Sequence, residues 1–117
     1  MTTESVIAVE DGEAITCLLS EREAAIRGEE LAAGLFAAVE GVAELPDGYG
    51  YRFSGDGAQL EPLLAFIEAE RRCCPFLTFE LAFAPHGGPI WLRLRGSPQV
   101  KAFIAEAFNS RVALDYR

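Results

Sequence analysis

Between Leu77 and Arg95 the chain carries two runs of strict period-two alternation, and no other feature limits its fold as sharply. Leu77, Phe79, Leu81 and Phe83 alternate with Thr78, Glu80 and Ala82, and Ile90, Leu92 and Leu94 alternate with Trp91, Arg93 and Arg95. Period two is strand spacing, because successive side chains of a strand point to opposite faces. The segment Pro85-His-Gly-Gly-Pro89 between the runs has turn composition. Pairing Phe83 with Ile90 sets Glu80 opposite Arg93 and Thr78 opposite Arg95, and gathers every aliphatic side chain on the other face. A one-residue slip would turn that aliphatic face to water. The two runs therefore predict an antiparallel hairpin with one buried face, which needs a second layer to cover it.

Helical segments are available for that layer. Ser20 followed by Glu23 fits a capping box ahead of an Ala-, Glu- and Arg-rich run to about Glu40, despite Gly28 and Gly34. Leu60, Leu63, Leu64 and Ile67 keep helical spacing, and the same face continues to Arg71 and Cys74. Pro75 ends this helix near Cys74, since the residue before a proline is driven from helical angles, and the chain then enters what reads as a central strand. Ser97 as cap and Pro98 at the first position open a last helix with the stripe Val100, Phe103, Ile104, Ala107 and Phe108.

Shorter strand-like runs complete the pattern. Val6 to Glu10 and Ala14 to Leu19 flank an Asp-Gly turn, and Val42 to Leu45 and Tyr49 to Phe53 flank Pro46-Asp-Gly48. Arg111 to Tyr116 is a further candidate edge strand. The expected fold is α+β over residues 1–117 as one domain, a mostly antiparallel sheet with helices on one face. From Tyr49 onward the order is ferredoxin-like, a split βαβ arrangement; a thioredoxin-like order written from Cys17 is the alternative.

Charge and composition narrow the functional classes. Eighteen acids against ten bases give a formal charge of -8, which disfavours nucleic acid, whose phosphates call for basic residues. The apolar stretches are too short for a membrane span of roughly 20 residues, and the acidic start is unlike a signal peptide, so the expected setting is the cytoplasm. Three cysteines, an odd number in a reducing compartment, read as free thiols, thiol chemistry or ligands of a soft ion.

Two of them stand together in Glu70-Arg71-Arg72-Cys73-Cys74-Pro75-Phe76. Glu70 precedes the cysteines by three and four positions, which puts its carboxylate on their side of a helix. Adjacent helical side chains diverge by about 100°, but Pro75 forces Cys74 out of the helix and can swing its thiol toward Cys73. Thiolates favour thiophilic metal ions, so Cys73, Cys74 and Glu70, joined by Cys17, form the candidate ligand set. Arg71 and Arg72 beside them offset the negative end of the helix dipole. A cysteine hydrolase lacks support, because the one histidine, His86, lies in the Gly-Pro turn. A thiol redox enzyme using Cys74, and plain packing of buried cysteines, are the competing readings.

The polar face of the last hairpin is a second candidate surface. Trp91, Arg93 and Arg95, with Arg52, share it, and tryptophan and arginine are enriched where subunits meet, so a homodimer through this face is expected. Cross-strand pairing of Glu80 with Arg93 on an exposed face is the simpler alternative.

Taken together, Cys17-Leu-Leu-Ser20, Leu45-Pro-Asp-Gly-Tyr-Gly-Tyr-Arg-Phe53, Glu70 to Phe79 and Pro89 to Gly96 resemble a group of small bacterial proteins marked by a Glu-Arg-x-Cys-Cys-Pro-Phe element. The resemblance runs from about Cys17 to Phe108. It implies no activity and no catalytic residue, since none is established for that group.

Overall fold

The computed structural model describes residues 22–112. Helix α1 (Arg22–Phe36) leads into strands β1 (Gly41–Leu45) and β2 (Gly48–Phe53), followed by helix α2 (Leu60–Cys73), strands β3 (Thr78–Phe83) and β4 (Ile90–Arg95), and helix α3 (Pro98–Ala107). Asn109–Arg111 add one 3₁₀ turn. The four strands form one sheet in the order β1-β2-β4-β3, and every pairing is antiparallel. Strands β2 and β3 thus run parallel to each other with β4 between them, joined by α2. This is the split βαβ unit read from Tyr49 onward. Strand β1, paired with β2 across the two-residue Pro46-Asp47 turn, takes the fourth place in the sheet. The expected tail strand does not start at Arg111, which closes the 3₁₀ turn, and its continuation past Val112 lies outside the described residues, as do the N-terminal hairpin and the strand carrying Cys17.

The β3–β4 register is the one that alternation predicts: Phe83 pairs with Ile90, Glu80 with Arg93 and Thr78 with Arg95. Among the described residues β3 stands at one end of the sheet, with β4 and β2 inside it, where the sequence reads β3 as central. The difference shows in burial. Ile90, Leu92 and Leu94 are buried, whereas Phe79 and Leu81 are half-buried and Phe83 is 59% exposed. Glu80 also finds a different partner. Its carboxylate accepts from Arg95 Nε at 3.1 Å, diagonally across the strands, while the guanidinium of Arg93 sits 5.9 Å from the ring centre of Trp91. A second carboxylate, Asp47 at 2.7 Å from Arg95 Nη1, draws Arg95 toward the β1–β2 turn. These hydrogen bonds, the one to Asp47 first, hold the Arg95 pKa above the ordinary arginine value.

The core lies between one sheet face and the helices. Tyr51, Phe53, Leu92 and Leu94 from the sheet meet Phe36, Leu63, Phe66, Val100, Ile104 and Phe108. Phe36 is its centre, with ring centroids 4.9 Å from Tyr51, 5.5 Å from Phe66 and 5.3 Å from Phe108. Such contacts add to the burial of large apolar surface that drives folding. The hydroxyl of Tyr51 reaches the core's polar rim and donates to Asn109 Oδ1 at 2.5 Å, so burial of the phenol leaves its polar end satisfied.

Helix α3 starts as its sequence predicts. Ser97 Oγ accepts from Val100 N at 3.2 Å and Pro98 occupies the first turn. Ser97→Ala removes this cap and is expected to cost about 1 kcal/mol, measured as a shift of the urea midpoint. A loss near zero would show that the cap contributes nothing here.

Candidate metal centre

The site forms where α2 ends. Glu61 in the first turn and Arg71 and Arg72 in the last complement the helix dipole. Cys74 N donates to Glu70 O at 2.6 Å to close the last turn, and Cys74 itself has φ -126° and ψ 75°, outside the helical region. Pro75 is the reason, since its ring disfavours helical angles at the residue before it. Cys73 therefore keeps a helical orientation while Cys74 does not. The two side chains converge: the Cys74 thiol donates to Cys73 Sγ at 3.6 Å. At that separation the two sulfurs are not bonded to each other.

Glu70 completes the cluster. One carboxylate oxygen and the two sulfurs all lie within 4.8 Å of one another. The three residues are buried, at 6%, 3% and 2% exposure for Glu70, Cys73 and Cys74. A buried carboxylate is costly unless hydrogen-bonded, paired or bound to a metal, and among the described residues no buried side-chain polar atom lacks a partner; the informative feature is that this carboxylate lies beside two thiols. Packing needs only an apolar side chain at that position.

The face of α2 that turns inward differs from the one its aliphatic spacing indicates. Leu63, Phe66, Ala69, Glu70 and Cys73 are buried, while Leu64 is 51% exposed and Arg71 lies in the open. Arg71 was expected on the apolar face; instead it borders a shallow surface groove with Leu64, Ile67, Leu77, Phe79 and Leu81. Arg72 is exposed as well. The physical reason is the location of the partners. The aromatic residues Phe36 and Phe108 contact Phe66, and Phe66 brings Glu70 and Cys73, four and seven residues on, to the same side. That spacing was the signal in the sequence for a buried Glu70.

Cys17 lies outside the described residues. The remaining proposed ligands, Cys73, Cys74 and Glu70, come together as a set. Both sulfurs are buried, whereas an attacking thiol ordinarily has a partly exposed, electropositive setting. His86 sits in the exposed β3–β4 turn with φ 61°, a turn residue far from any ligand role.

Trp91, Arg93 and Arg95 share the sheet face opposite the core with Arg52, which pairs with Trp91 in the β2–β4 ladder. Arg95 is held by Asp47 and Glu80, and Arg52 Nη2 donates to Glu40 O at 2.8 Å. These arginines thus have partners within the chain. Among the described residues no helix is long and apolar enough to cross a membrane. Comparison with protein families, with curated proteins and with solved structures returns no match to this chain.

Proposed function

We propose that the protein binds a thiophilic metal or metalloid ion through Cys73, Cys74 and Glu70. The observation that carries this reading is the buried convergence of one carboxylate oxygen and two thiols within 4.8 Å. Donor chemistry supports it: thiolates select soft ions, and a carboxylate supplies an additional charged donor. Position supports it too, because the ligands come from the last turn and cap of one helix, a rigid element that holds them in place before any ion arrives.

The test is titration of the reduced full-length chain with Zn(II), Cu(I) or Hg(II), alongside Cys73→Ser and Cys74→Ser. The expected result is one ion per chain, with both thiols withdrawn from a thiol reagent, and loss of stoichiometric uptake in either variant. Cys17→Ser serves as the background in which every remaining thiol belongs to the pair. Uptake that is absent, or unchanged by both cysteine variants, would remove the proposal.

A further inference from the structure

We infer that the site is shaped for an ion that takes its two thiolates at an angle, in the manner of tetrahedral Zn(II), and not for an ion that takes them in line. This rests on the ion-binding reading above and names the ion class that the same three residues fit.

The argument is geometric. Zinc–sulfur bonds are about 2.3 Å long, so two thiolates on a tetrahedral zinc stand about 3.8 Å apart. The sulfurs of Cys73 and Cys74 are 3.6 Å apart, which with bonds of about 2.3 Å gives a sulfur–ion–sulfur angle of about 103°. A two-coordinate ion with both sulfurs in line, at the same bond length, would need them about 4.6 Å apart. The pair would have to open by about 1 Å, a strain that the packing around it opposes. Cys73 and Cys74 are adjacent in the chain, buried at 3% and 2% exposure, and belong to the same core cluster as Phe66, Phe76 and Leu77. Interiors packed at near-crystalline density do not yield such a displacement without moving neighbours.

Glu70 agrees with the angular geometry. A zinc–oxygen bond of about 2.1 Å gives a tetrahedral oxygen–sulfur edge of about 3.6 Å. The carboxylate oxygen is no more than 4.8 Å from either sulfur, so about 1.2 Å is the upper bound on its movement, spread over the three torsions of one long side chain instead of separating two short side chains on adjacent residues. Two sulfurs and one oxygen fill three corners of a tetrahedron. An in-line ion would leave the buried carboxylate outside its coordination.

Co(II), a spectroscopic stand-in for zinc, tests the inference on the reduced full-length protein without oxygen. The expected spectrum has the intense ligand-field bands of tetrahedral Co(II) with sulfur-to-cobalt charge transfer, both bleached by an equimolar amount of Zn(II). Glu70→Gln is expected to lower Zn(II) affinity by at least about tenfold. It should leave capture of phenylarsine oxide, a probe that needs the two thiols and no carboxylate, unchanged. Weak octahedral bands without charge transfer, in a protein that still takes up one Hg(II) per chain, would overturn the angular assignment and leave the ion-binding proposal standing. Uptake of neither ion would overturn both. The wild-type cobalt spectrum decides the geometry even if Glu70→Gln fails to fold.

Discussion

Replacing Gly48 with alanine is expected to lower the unfolding free energy by about 3 kcal/mol or more, while the same replacement at Gly34 raises it by about 0.5–1 kcal/mol. A methyl carbon on Gly48 would stand 1.8 Å from the carbonyl oxygen of Leu94 and 2.9 Å from Arg95 Cα. Both obstacles are backbone of the neighbouring central strand, so no rotamer change relieves them. The β2–β4 ladder would have to open where Gly48 pairs with Arg95. Opening there also strains Gly96 N donating to Asp47 O at 2.9 Å and the Arg95–Asp47 ion pair at 2.7 Å. Gly34 sits in α1 with nothing within 4 Å of an added carbon, so alanine there gains helix propensity at no steric cost. Urea denaturation checks the pair: the midpoints should move in opposite directions with unchanged slopes. A Gly48→Ala protein within about 1 kcal/mol of wild type would show that the two strands do not approach as closely as described.

The strands were legible because two independent constraints agreed. Alternation in 77–83 and 90–95 fixed which side chains face inward, and only one turn register kept both aliphatic sets together. The strand order was less accessible. Among the described residues β3 has β4 as its strand neighbour and β4 also pairs with β2, which leaves β3 at the end of the order, a contact between distant segments that no local pattern encodes. The consequence is the exposure of Phe83 and the half-burial of Phe79 and Leu81, residues whose spacing alone reads as core. The inward face of helix α2 is set by tertiary contacts in the same way. Leu60, Leu63, Leu64 and Ile67 form one plausible stripe, Leu63, Phe66, Ala69 and Cys73 another. Phe36 and Phe108 decide between them by packing against Phe66. Rotating the helix by that amount carries Arg71 outward and Glu70 inward. The site was therefore half-visible in the sequence: the cysteine pair and the effect of Pro75 could be read locally, whereas burial of the carboxylate depended on tertiary partners.

Saturating the site with Zn(II) is expected to raise the midpoint of thermal unfolding by about 10 °C, and a chelator should return it to the ion-free value. Anything bound by the folded chain and not the unfolded one stabilises by RT ln(1 + [L]/Kd), about 2.7 kcal/mol at a free ion concentration one hundred times Kd. For a chain of this size each kcal/mol moves the midpoint by about 4 °C. The discrimination between states comes from Glu70. Two adjacent cysteines stay adjacent in the unfolded chain and retain some affinity there, which subtracts from the gain. The carboxylate, three and four positions away, is held beside the sulfurs by the last turn of α2 and by burial, so its share of the binding energy belongs to the folded state. Glu70→Gln should accordingly lose more of the zinc-induced shift than its effect on ion-free stability explains, and Cys73→Ser and Cys74→Ser should lose nearly all of it. Each variant is compared with its own ion-free midpoint by calorimetry, which separates damage to the core from loss of a ligand. A wild-type midpoint that zinc leaves unmoved would mean that the converging geometry holds no zinc, and an equal absence of Hg(II) uptake would mean that the three buried donors are packing.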